Sequence, residues 1–63
     1  MPKSRAIKEL KELTLKHDKL LTFIGTEAFY KLQVGAQCLL RAQLGAMASY
    51  MWILNERLNT WIE

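Results

Sequence analysis

The side chains able to do chemistry in this 63-residue chain are few, and their spacing assembles no catalytic group. His17 has no serine or cysteine at the spacing of a nucleophile and its base, the carboxylates are interleaved with lysines, and Gly25, Gly35 and Gly45 form no phosphate loop. One histidine and one cysteine, Cys38, lack the paired spacing of a zinc site, and a single thiol forms no internal disulfide. These residues read as a protein that is not an enzyme and carries no metal or cofactor. Arg41 lies in an otherwise apolar stretch, where an unpaired buried polar group costs about 1–3 kcal/mol. It either reaches a rim or bonds across a subunit interface, as Gln43 must, or it supplies an anion pocket between subunits. Tyr30, like Tyr50, Trp52 and Trp61, reads first as a core or interface residue; beside Lys31 it also joins an aromatic ring to a cation, the pairing a nucleobase and its phosphate require.

The net charge of +3 is concentrated at one end. Residues 1–24 hold Lys3, Arg5, Lys8, Lys11, Lys16 and Lys19 against Glu9, Glu12 and Asp18, whereas residues 25–63 carry three charges of each sign. Lys3, Arg5 and Lys8 are the candidate phosphate contacts of this basic segment. Interleaved with glutamates, they also read as a solvated helix face. The start, MPKSRAIKEL, lacks the apolar core and cleavage site of a secretory signal, which with a lone thiol predicts a cytoplasmic, reducing location.

The elements that must hold these groups are helical. Proline occurs only at position 2 and glycine at three positions, so little interrupts a helix. Ile7, Leu10, Leu13, His17, Leu20 and Ile24 form one apolar stripe and predict a first helix over about 4–24, capped by Ser4 and closed by a left-handed Gly25. Thr26 then caps a short helix over about 27–32, with Glu27 at its positive dipole end. From about 36 to 62 a long helix carries Leu40, Leu44, Met47, Met51, Leu54, Leu58 and Trp61 at alternating spacings of 4 and 3, a heptad seam. The reading is a single all-α domain over 1–63, an antiparallel helical hairpin of long helix, short helix or turn, and long helix. His17 is expected as a hydrogen-bonded core histidine, and Cys38 as a small buried apolar residue.

The long helix is apolar or small on nearly every side. Beside its seam lie Leu39, Ala46, Tyr50 and Ile53, and opposite it Ala42, Gly45, Ser49 and Trp52. One neighbouring helix cannot cover that perimeter, and a mid-helix glycine costs about 1 kcal/mol relative to alanine. Ala42, Gly45, Ser49 and Trp52 are therefore the expected interface of a helical homo-oligomer, in which a second backbone approaches closely. A chain this short also buries only about 60% of its unfolded surface and benefits from subunits. The alternative of a membrane span, over the 21 residues from Val34 to Leu54, is opposed by Arg41, which costs about 2.5–3.5 kcal/mol at a bilayer centre.

Lys19-Leu20, Phe23-Ile24, Phe29, Leu32, Leu39-Leu40, Gln43-Leu44, Ala46-Met47, Tyr50, Ile53-Leu54 and Arg57-Leu58 resemble a pattern of short phage and prophage proteins, including a family named from crAss-like phages. The resemblance covers roughly residues 9–58, and the run QL.AM..Y..IL..R is its specific part. In outline the chain is also similar to the hairpin of phage anti-CBASS and anti-Thoeris sponges, which hold cyclic nucleotide signals between the subunits of symmetric oligomers. The resemblance implies a counter-defence protein in the cytoplasm of an infected or lysogenic bacterial host. Such a protein sequesters a cyclic oligonucleotide between subunits, with Lys3, Arg5, Lys8 and Arg41 on phosphates and Tyr30 stacked on a base. Its partners are then other copies of itself and the nucleotide, with no long nucleic acid and no membrane. The alternative is a phage inhibitor or assembly module that binds a protein through its apolar helix face.

Overall fold

The computed structural model describes residues 3–60, which form α1 (Lys3–Ile24), α2 (Glu27–Tyr30) and α3 (Val34–Thr60). α1 and α3 pack against each other as an antiparallel pair in a rod of 42 × 16 × 14 Å, and α2 forms the elbow that reverses the chain. The fold is an all-α helical hairpin, with no strand among the described residues. No helix among them is long and apolar enough to cross a membrane.

The seam of α3 is the one its spacing demands. Leu40, Leu44, Met47, Met51 and Leu58 are half-buried and Leu54 is fully buried; Trp61 lies outside the described residues. The matching stripe of α1 differs from expectation at its first position. Ala6 is buried while Ile7 stays 40% exposed. Continuing the 4-and-3 alternation backward from Leu10 reaches Ala6, and Ile7 sits about 100° further round the helix. The stripe is thus Ala6, Leu10, Leu13, His17, Leu20 and Ile24, a second heptad on the helix that packs against α3.

The elbow is closed by backbone and side-chain bonds together. The Gly25 and Thr26 amides donate to the carbonyls of Thr22 and Phe23 at 3.1 and 3.0 Å, so the last turn of α1 tightens into a 3₁₀ form. Gly25 does not take the left-handed conformation expected of it, and a Cβ there would meet only the Thr22 carbonyl at 3.5 Å. Thr26 does cap α2, accepting from the Phe29 amide. Amides of Lys31 and Leu32 return to Glu27 and Phe29 at 3.1 Å and end α2 at Tyr30, earlier than 32. α3 begins at Val34 rather than 36, because the Gln33 carbonyl already accepts the Gln37 amide at 3.0 Å. At the other end α1 includes Lys3, so Ser4 lies within the first turn and does not cap it.

Phe29 and Leu54 are the large side chains withdrawn completely from water, one at each end of the seam. Truncating Leu54 leaves a cavity that two helices close poorly, and Leu54→Ala is expected to lower unfolding free energy by about 2–5 kcal/mol. Gly25→Ala is expected to raise it by about 0.4–1 kcal/mol, because the replacement restrains the unfolded chain without strain at a φ it accepts. Urea unfolding followed by circular dichroism measures both; a strongly destabilised Gly25→Ala protein would mean that the turn needs a left-handed glycine.

Candidate anion-binding elbow

The elbow brings together two of the five cation and aromatic positions expected to meet a ligand. Phe29, driven into the hairpin end by its apolar surface, presents one ring face to Arg41, whose guanidinium carbon lies 5.1 Å from the ring centroid. A cation over an aromatic face is attracted by the ring quadrupole, by about 0.5–1 kcal/mol where solvent reaches it. Phe23 and Tyr30 meet the same ring in T-shaped contacts with centroids 6.0 and 5.2 Å away. Arg41 is therefore exposed yet oriented, and its coplanar N–H donors remain available to an anion. Tyr30 is 61% exposed and stands beside exposed Lys31.

Gln37 fixes the path of the chain around this group. Its side-chain amide donates to the backbone carbonyls of Leu32 at 2.8 Å and Tyr30 at 3.3 Å, tying the first turn of α3 to the end of α2. That clasp was not read from the sequence; a glutamine at the fourth position of a helix, facing carbonyls left open by a short helix, is the signal that points to it.

Lys3, Arg5 and Lys8 lie at the opposite, open end of the hairpin. All three are exposed, and at 1.5 Å per residue the rise along α1 from Arg5 to Ile24 is about 28 Å. One small ligand cannot touch both groups within one chain. The expected interface residues Ala42, Gly45, Ser49 and Trp52 are all exposed on the outer side of α3. Ala48, Ser49, Trp52 and Ile53 line a shallow, open depression there. Cys38 is exposed rather than buried, because the position after Gln37 turns away from the seam. His17 is half-buried on the stripe, its Nδ1 lying 3.1 Å from the Asp18 carboxylate.

Tyr50, read as an apolar flank residue, also binds the two helices together. Its hydroxyl donates to Glu9 across the hairpin at 2.5 Å. The phenol is held above its ordinary value of 10.0, first by that hydrogen bond, then by desolvation and the Glu9 charge, with Arg57 acting in the opposite sense.

A protein-family profile described as Sequestin matches residues 2–60, nearly the whole chain. The chain belongs to the Sequestin family. No curated protein and no solved structure matches it. The family's name speaks of sequestration, which fits a member whose candidate site offers donors and an aromatic platform.

Because the folded state raises the Tyr50 pKa, its contribution to stability is fully present below the unfolded value near 10 and is lost as pH rises through the higher folded value. The melting temperature is expected to exceed that of Tyr50→Phe from pH 7 to 9, with the gap closing as the pH rises above 10. Thermal melts of both proteins across that range check it, and a gap that persists at high pH would show that the Glu9 bond does not matter.

Proposed function

We propose that this member of the Sequestin family acts without catalysis, sequestering a small anionic nucleotide signal, a cyclic oligonucleotide, between subunits of a helical homo-oligomer. In this reading it is a phage counter-defence protein working in the cytoplasm of its bacterial host. The single observation that carries the proposal is the Arg41 guanidinium held against Phe29 beside an exposed Tyr30, in a chain of a family named for sequestration. Arginine offers a phosphate two N–H donors in a planar fork, and tyrosine offers a base a flat apolar face. Sequestration needs affinity and no turnover, so such a site is sufficient without an acid, a base or a metal. The basic end of α1, with Lys3, Arg5 and Lys8, supplies phosphate contacts from a different copy, since the two ends of one hairpin lie too far apart.

The exposed apolar side of α3 favours a second reading, a module that blocks a protein by laying this helix in a groove. The two readings differ in what saturates the protein. Isothermal titration with a panel of cyclic di- and trinucleotides is expected to give binding to at least one of them, with fewer than one ligand per chain. Arg41→Ala is expected to weaken that binding at least tenfold, and Arg41→Lys to recover it only in part because an ammonium lacks the planar fork. No heat and no thermal shift with any nucleotide would remove the sequestration reading and leave the protein-binding one.

A further inference from the structure

The seam of α3, continued backward from Leu40 by the three residues its alternation requires, reaches Gln37. A polar residue therefore stands, half-buried, where the pattern provides for an apolar one. Closing the hairpin does not require it, because a leucine or methionine there would gain about as much from burial as the glutamine gains from its hydrogen bonds. What the glutamine does differently is direct its two N–H donors at particular atoms, the carbonyls of Leu32 at 2.8 Å and Tyr30 at 3.3 Å. The backbone bonds of the elbow stop short of that link. Lys31 and Leu32 return to Glu27 and Phe29, and the Gln37 amide returns to Gln33. Among the described residues, the Gln37 side chain makes the hydrogen bonds that join the end of α2 to α3.

These bonds complete a closed circuit of contacts. The Tyr30 ring rests against Phe29 with centroids 5.2 Å apart, and Phe29 carries the Arg41 guanidinium carbon 5.1 Å from its own centroid. Arg41 stands one helical turn beyond Gln37, and Gln37 returns to the Tyr30 carbonyl. Contacts that close on themselves fix their members more narrowly than an open chain of contacts does. We infer that Gln37 is a positioning residue for the anion site, its donors setting the spacing between the Tyr30 ring and the Arg41 guanidinium that a base and its phosphate must match together. The inference rests on the proposed nucleotide reading and names a residue beyond the ligand contacts on which that reading depends. Gln37 is not itself such a contact. Both of its donors are occupied by carbonyls, and the oxygen that remains is an acceptor, which a phosphate does not approach. Cutting the circuit leaves ring and guanidinium their own chemistry but lets the distance between them vary, and the ligand then has to fix it at an entropic cost.

Two substitutions separate the spacing from the groups themselves. Gln37→Met keeps the length of the side chain and removes its donors, whereas Gln37→Asn keeps the amide and draws it back by one methylene. Circular dichroism is expected to show both variants as helical as the wild type. In isothermal titration both are expected to bind, about tenfold more weakly, whichever cyclic di- or trinucleotide the wild type binds. Inorganic phosphate needs the Arg41 fork alone; followed through the Arg41 side-chain N–H resonances, it is expected to bind all three proteins with dissociation constants within about twofold of one another. A residue that merely stabilised the fold would move both ligands together. Equal nucleotide affinity in the three proteins would overturn the role of Gln37 and leave the sequestration reading standing, whereas a wild type that binds no nucleotide of the panel would overturn both. Loss of helicity in both variants, or an equal loss of nucleotide and phosphate affinity, would make Gln37 a residue of the fold alone and overturn the positioning role.

Discussion

Two helices can share only one seam, and that constraint governs the rest of this protein. Each helix of a hairpin shields about a third of its partner's circumference, and the remainder must be made compatible with water by its own side chains. α1 meets the demand with lysines and glutamates on its outer faces, leaving Ile7, Leu15 and Leu21 as isolated exposed apolar residues. α3 does not meet it. Leu39, Trp52 and Ile53 stand 74%, 65% and 44% exposed along a helix with no charge over its middle four turns, and scattered surface leucines do not account for a continuous stretch of that kind.

Phe29 links this fold to its candidate site. Its burial ends the core at the elbow and holds α2 against the mouth of the hairpin, so the ring is fixed by packing rather than by a ligand. A fixed ring gives Arg41 a fixed place to rest. The electron-rich face of the ring attracts the guanidinium, and its two aromatic neighbours lie perpendicular to it, the T-shaped arrangement that ring quadrupoles favour. An arginine oriented in this way loses less side-chain entropy on meeting an anion than one free in water.

The parts of this arrangement visible in the sequence are those that repeat. Six seam positions of α3 recur at heptad spacing, and all of them face α1; the cap at Thr26 is likewise written in one residue and its neighbour three places on. The parts that were not visible depend on an accident of phase or on contact between distant segments. Ile7 and Ala6 are adjacent, and choosing between them needs the alternation of the whole stripe, not the larger side chain. Gly25 looks like a left-handed stop because glycine commonly supplies one, yet 3₁₀ bonds from two consecutive amides close the helix without it. The Phe29 and Arg41 pair joins residues twelve positions apart across the elbow, and the Tyr50 and Glu9 bond joins residues forty-one apart, so no local pattern announces either. Of the expected ligand residues, Tyr30 and Arg41 come together for the same reason, while Lys3, Arg5 and Lys8 are carried to the far end by the length of α1.

The separation of these cations bears on how a chain of this size could retain a nucleotide at all. An exposed ion pair is worth about 0–1 kcal/mol, whereas micromolar binding requires about 8 kcal/mol. Within one hairpin a ligand at the elbow meets Arg41 and Tyr30, and solvent reaches both. The deficit is closed only by withdrawing those donors from water, where the same charges act through a lower dielectric and an aromatic platform covers a base on one side. In the proposed reading a second copy supplies that cover, since the described residues offer no further element with which to do it. Ligand binding and self-association then become linked: a nucleotide that binds only between subunits tightens the assembly by the same factor by which assembly tightens the nucleotide. A protein built on that linkage needs neither a preformed cavity nor a large core, since each equilibrium supplies what the other lacks.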